Sequence, residues 1–117
     1  MSLKYTIQEV KLTGSGKEKR RKVIRFNNPD LRLLEEFLMV DAPLHDWSIL
    51  RRFEEVNRQG TSLGPFVGNR TSTMIGPVQT KIEDSFDFPG MDPLPSVKLP
   101  TDMLYELILT WRRSLEN

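Results

Sequence analysis

The C-terminal twenty residues constrain this chain most. Leu104, Leu107, Ile108, Trp111 and Leu115 recur at the i, i+3, i+4, i+7 and i+11 spacing of one helix face. Tyr105 and Leu109 add a second i, i+4 pair and widen that face. Thr101 or Asp102 is placed to cap the helix, and Arg112 and Arg113 lie toward its negative end. A helix with so broad an apolar face is stable only against another layer. The rest of the chain must supply that layer.

Much of it reads as strand. Residues 3–12, LKYTIQEVKL, put Tyr5 and Ile7 on one face but Val10 and Leu12 on the other. That change of parity predicts a bulge near Glu9 or partial cover on both faces. Thr13-Gly14-Ser15-Gly16 is a turn cluster, and residues 20–26, RRKVIRF, return as the second strand of a hairpin. Asn28, Pro29 and Asp30 then start a helix, as N-cap, first residue and dipole partner. Leu31, Leu34 and Leu38 continue it to Asp41, ahead of Pro43. A second helix is expected from an N-cap at Asp46, with Ile49, Phe53 and Val56 on one face and Gly60 closing it.

Residues 61–71 are expected as a loop. Residues 72–82 are β-like but broken at Gly76-Pro77, so they form an edge or bulged strand, or two short ones. Residues 83–100 hold four prolines and form a long loop, with Val97 and Leu99 as a short strand before the last helix. The order β-β-α-α-β-(β)-loop-α predicts an α+β fold in a single domain, 1–117. It has a small, mainly antiparallel sheet and an N-terminal hairpin. Two central helices and a C-terminal amphipathic helix pack on one side.

With 38% hydrophobic and 28% charged residues, the chain reads as soluble and globular rather than disordered. There is no cysteine, which excludes disulfides, thiol catalysis and thiolate metal sites. MSLKYTIQEVK lacks the apolar stretch of a signal peptide, and the LILTW run falls far short of a membrane span. A cytoplasmic setting is expected. The formal net charge of +1 points to neither nucleic acid nor membrane. It conceals a dipolar chain. Residues 1–25 carry eight basic and two acidic side chains, and residues 80–102 carry two basic and five acidic.

Two segments are candidate contact surfaces. Glu83, Asp84, Phe86, Asp87, Phe88 and Asp92 alternate aromatic and acidic side chains in a Pro-bounded loop, the composition of an interface anchor flanked by steering charge. The alternative for this loop is that the two phenylalanines pack back onto the sheet. Lys17, Lys19, Arg20, Arg21 and Lys22 form a basic patch at the hairpin tip, suited to an acidic protein or a phosphate backbone. His45, the one histidine, lies beside Asp46 but has no nucleophile or oxyanion motif near it, and reads as a loop residue. The acidic residues lack the spacing of a calcium loop. No catalytic residue, metal site or cofactor is expected.

VKLPTDMLYELILTWRRSLEN resembles the C-terminus of several small bacterial immunity proteins, in which a short strand enters a Pro-Thr helix start and a Leu-rich helix carries a Trp about ten residues in. The element order is similar too. The resemblance implies a cytoplasmic, non-enzymatic inhibitor of one cognate toxin domain from a contact-dependent inhibition or related polymorphic toxin system. It brings no catalytic residues. A nuclease is the natural target of the acidic loop, and nucleic-acid binding through the basic hairpin is the alternative function.

Overall fold

The computed structural model describes residues 3–14, 16–85 and 89–116, with side chains at all of these but Thr13, Lys17 and Glu18. Strand β1 (Tyr5–Gly14) pairs antiparallel with β2 (Lys17–Phe26), residue for residue from Tyr5↔Phe26 to Gly14↔Lys17. The pleat turns Tyr5, Ile7, Ile24 and Phe26 toward the core, with the Tyr5 and Phe26 rings 5.5 Å apart. Val10 and Leu12 face the other way, 38% and 48% exposed. The change of parity in β1 is therefore met by neither a bulge nor cover.

The helical run after the hairpin changes pitch twice. Asn28 Oδ1 accepts the Asp30 amide at 3.0 Å, the expected cap. A 3-10 turn (Pro29–Leu31) leads into α1 (Arg32–Glu36) and then a π turn (Phe37–Asp41). In the π turn the Ala42 amide donates to the Phe37 carbonyl at 2.8 Å, one residue further back than an α-helix allows. The Leu38 carbonyl, bypassed by that bond, accepts the Trp111 indole N–H at 2.7 Å.

The next helix begins later than Asp46. In α2 (Leu44–Trp47), His45, Asp46 and Trp47 have φ of 54°, 58° and 61°, a left-handed turn, so Asp46 caps nothing. For residues with a Cβ this conformation costs about 1–2 kcal/mol each. The turn is held on the inside by Trp47, which packs on the core with the Arg112 guanidinium 5.7 Å from its ring. Helix α3 (Ile49–Gln59) buries Leu50, Phe53 and Val56 and ends at Gly60, φ 72°, as expected.

Four antiparallel strands follow in spatial order β3-β4-β5-β6. Strand β3 (Leu63–Val67) lies inside the segment expected as a loop. Its register shifts between Leu63 and Phe66, where Gly64-Pro65 hides the alternation. The interrupted β segment is two strands, β4 (Thr71–Ile75) and β5 (Gln79–Asp84), with Pro77 in the turn between them. Strand β6 (Val97–Pro100) runs directly into α4 (Thr101–Leu115).

One face of this sheet buries Thr71, Thr73, Ile75, Thr80, Ile82, Val97 and Leu99, and α1, α3 and α4 contact its strands. Leu104, Leu107, Ile108 and Trp111 of α4 are buried in the same core, while Leu115 stays 40% exposed. The fold is α+β, with two antiparallel sheets rather than one. Neither Thr101 nor Asp102 caps α4. Thr101 Oγ1 donates instead to the Gly76 carbonyl at 2.6 Å, so the 2.8 Å contact with Thr80 Oγ1 has Thr80 as donor.

One buried carboxylate joins the helical layer to the sheet. Asp41, 9% exposed at the end of the π turn, accepts the amides of Asn69 (2.8 Å), Arg70 (3.2 Å) and Thr71 (2.6 Å), and the Thr71 hydroxyl at 2.5 Å. These are the donors of the β3–β4 turn. The approach requires glycine at 68, because a Cβ there would stand 2.4 Å from the Asp41 carboxyl carbon.

Asp41→Ala leaves those amides without their acceptor and is expected to cost about 3–5 kcal/mol, read as a lower urea midpoint at unchanged m. Gly68→Ala is expected to destabilise the native chain and to cost at least about 1 kcal/mol less in the Asp41→Ala background. His45→Gly relieves a left-handed residue and is expected to raise stability by up to about 1 kcal/mol.

Candidate interaction surfaces

The acidic segment starts at the end of β5, and its residues meet different fates. Asp84 leaves only 5% of its side chain exposed. Its Oδ1 accepts from Arg70 Nη1 at 2.5 Å and its Oδ2 from the Leu94 amide at 2.8 Å. It thus ties both ends of the loop to the β3–β4 turn. The Asp84 charge is thus engaged within the protein by Arg70. Glu83 is exposed, with its carboxylate 3.4 Å from Lys81 Nζ. Asp92 is exposed in the loop beside Met91, 70% exposed. Phe86, Asp87 and Phe88 lie outside the described residues.

The hairpin splits the basic patch between two faces. Strand alternation assigns Arg20 and Lys22 to the face that carries Ile24 and Phe26. There Arg20 Nη1 stands 3.7 Å from Glu9, and Lys22 Nζ donates to the Ser114 carbonyl in the last turn of α4. A cation at that point complements the negative end of the helix. Lys22 therefore anchors the hairpin to the body. Lys19 and Arg21 lie on the other face, and the register places Lys17 opposite Gly14.

That outer face is more than basic. Val10 is paired with Arg21 and Leu12 with Lys19, and Val23, partly buried, lies two residues further along. Arg25 is on the same side but is engaged with Glu35, whose carboxylate also accepts the Phe26 amide. The result is an apolar stripe edged by two cations, on a two-stranded sheet of which neither outer edge pairs with another described strand. The sequence pattern identified the cations but not the apolar half of this face. The signal was present in the parity of Val10 and Leu12.

His45 and Asp46 are both exposed on the left-handed turn. Among the described residues no group of three or more His, Cys, Asp and Glu side chains is placed to hold a metal ion. No helix of the described residues is long and apolar enough to cross a membrane. No family model matches the chain, and no curated protein or solved structure matches it.

Asp84→Ala removes the carboxylate that the Arg70 guanidinium and the Leu94 amide share. It is expected to cost about 2–3 kcal/mol in chemical denaturation, below the range of a fully buried pair because Arg70 keeps 22% of its side chain exposed. Asp92→Ala, at an exposed position, is expected to change stability by less than about 0.5 kcal/mol.

Proposed function

We propose that this chain is a non-catalytic binding protein that neutralises one cognate toxin domain by protein–protein contact, with the outer face of the hairpin as its docking surface. The toxin class comes from the C-terminal resemblance to immunity proteins. The observation that carries the binding role is the outer face itself, where exposed Val10 and Leu12 pair across the ribbon with Arg21 and Lys19. An apolar row on one strand flanked by cations on the other suits a protein interface, and the cations steer an acidic partner into register. Action in the cytoplasm belongs to the same proposal.

The same ribbon supports nucleic-acid binding as a second reading, since two-stranded ribbons enter grooves. The apolar side chains beside the cations favour a protein partner. The deciding experiment co-expresses this chain with the C-terminal domain of the protein encoded immediately upstream and scores growth and co-purification. The expected result is restored growth and a one-to-one complex. Leu12→Asp with Arg21→Glu is expected to weaken that complex at least about tenfold, the effect of losing about 1.4 kcal/mol at an interface, with stability unchanged. Full protection by the double variant removes the hairpin from the interface. A harmless upstream domain that forms no complex removes the toxin reading. Retention on DNA or RNA that falls steeply with salt would establish the second one.

A further inference from the structure

At the far end of α4 from the hairpin, a cleft opens between α3, the start of α4 and the turn joining β4 to β5. Phe53, Val56, Pro77 and Tyr105 line its apolar part, and Glu54 and Asp102 stand at its rim. The Phe53 and Tyr105 rings lie 5.9 Å apart at 34°. The cleft volume is about 220 Å³. That is below the roughly 300–1,000 Å³ of small-molecule and cofactor sites, and is the scale of one inserted side chain.

The charge of the cleft is one-sided. Among the described residues neither Glu54 nor Asp102 takes part in an ion pair, and the hydrogen bond to Glu54 comes from the Tyr105 hydroxyl at 3.4 Å. Glu106 follows on α4 and is exposed. Burial, then the charge of Glu54 and its hydrogen bond, then Glu106, push the Tyr105 phenol above its ordinary value. Exposed carboxylates beside the half-buried Tyr105 ring, with Phe53 buried at 2% exposure in the cleft lining, form a receptor for an organic cation. The Tyr105 ring attracts it, and the carboxylates accept its N–H groups.

We infer that this cleft receives a single arginine side chain from a protein partner. A guanidinium is planar, so it stacks where a compact ammonium cannot. It presents a fork of donors, and it gives up its hydration more readily than lysine does. The site lies roughly 22 Å from the hairpin, at 1.5 Å per residue over the fifteen residues of α4. It does not depend on the toxin reading, and its failure would leave that reading untouched.

The test titrates the isotope-labelled chain with N-acetyl-arginine amide, followed by amide and aromatic NMR shifts. N-acetyl-citrulline amide and N-acetyl-lysine amide serve as the neutral and the ammonium comparison. The expected result is saturable shifts confined to Phe53, Glu54, Asp102 and Tyr105, with a dissociation constant of about 1 mM for the arginine probe. Citrulline is expected to bind at least about tenfold more weakly, as is arginine to a Glu54→Gln, Asp102→Asn double variant. Both substitutions are at exposed positions, so the variant is expected to fold. Ultraviolet titration checks that Glu54 acts within the cleft, because Glu54→Gln should bring the Tyr105 phenol back toward its ordinary value. Shifts scattered over the surface, or equal binding of citrulline or lysine, would overturn the inference.

Discussion

The Asp41 carboxylate is the point at which the two halves of this fold are fastened. Three amides and a hydroxyl of the β3–β4 turn converge on one buried anion at the end of a helical run. Charge-assisted bonds of this kind tolerate little displacement. The π turn, the glycine at 68 and the course of β4 all follow from bringing that carboxylate to those donors. The tie also extends outward. Arg70, whose amide is held by Asp41, reaches with its guanidinium to Asp84, and Asp84 in turn holds the Leu94 amide. Helix, sheet and proline-rich loop are thus linked in series by two carboxylates and one arginine.

The same helical run is fastened at two further points. Trp111 fills the space between α4 and the π turn and supplies the donor that the Leu38 carbonyl lacks within its own helix. Glu35 holds the last residues of β2 through the Phe26 amide and Arg25. Among the described residues, no buried side-chain nitrogen or oxygen is left without a hydrogen bond. The π turn and the left-handed turn are each met by a side chain of α4, Trp111 and Arg112.

The features legible in the sequence were those set by local chemistry. The apolar spacing of α4, the Asn28 cap, the Gly60 terminus and the hairpin all rest on residues within a few positions of one another. What the sequence concealed depends on distant partners. Strand β3 is disguised by Gly64-Pro65 and is a strand because β4 lies beside it. Asp46 has the chemistry of a cap, but the left-handed turn leaves it ahead of α3, where Ser48 takes the N-cap position. Asp84 reads as a surface acid until Arg70, fourteen residues away, is seen to neutralise it. The basic run at 17–22 reads as one patch, yet the pleat divides it, and Lys22 goes to a helix end ninety-two residues away. The candidate site was therefore half legible: composition located the cations, and only pairing across the ribbon showed which of them share a face with Val10 and Leu12.

The anchoring of Lys22 to the end of α4 separates the hairpin into two regimes. On the core side of that anchor, Ile24 and Phe26 are buried, and substitutions there are felt by the whole molecule. Beyond it, the Val10–Arg21 and Leu12–Lys19 pairs contribute little to the core and much to the character of the exposed face. On the proposed reading, partner choice and foldability are encoded in different residues. A lineage of such chains can exchange one cross-strand pair for another and acquire a new specificity while its interior stays constant. Covariation should then appear across the ribbon, between positions seven and eleven residues apart, rather than along either strand.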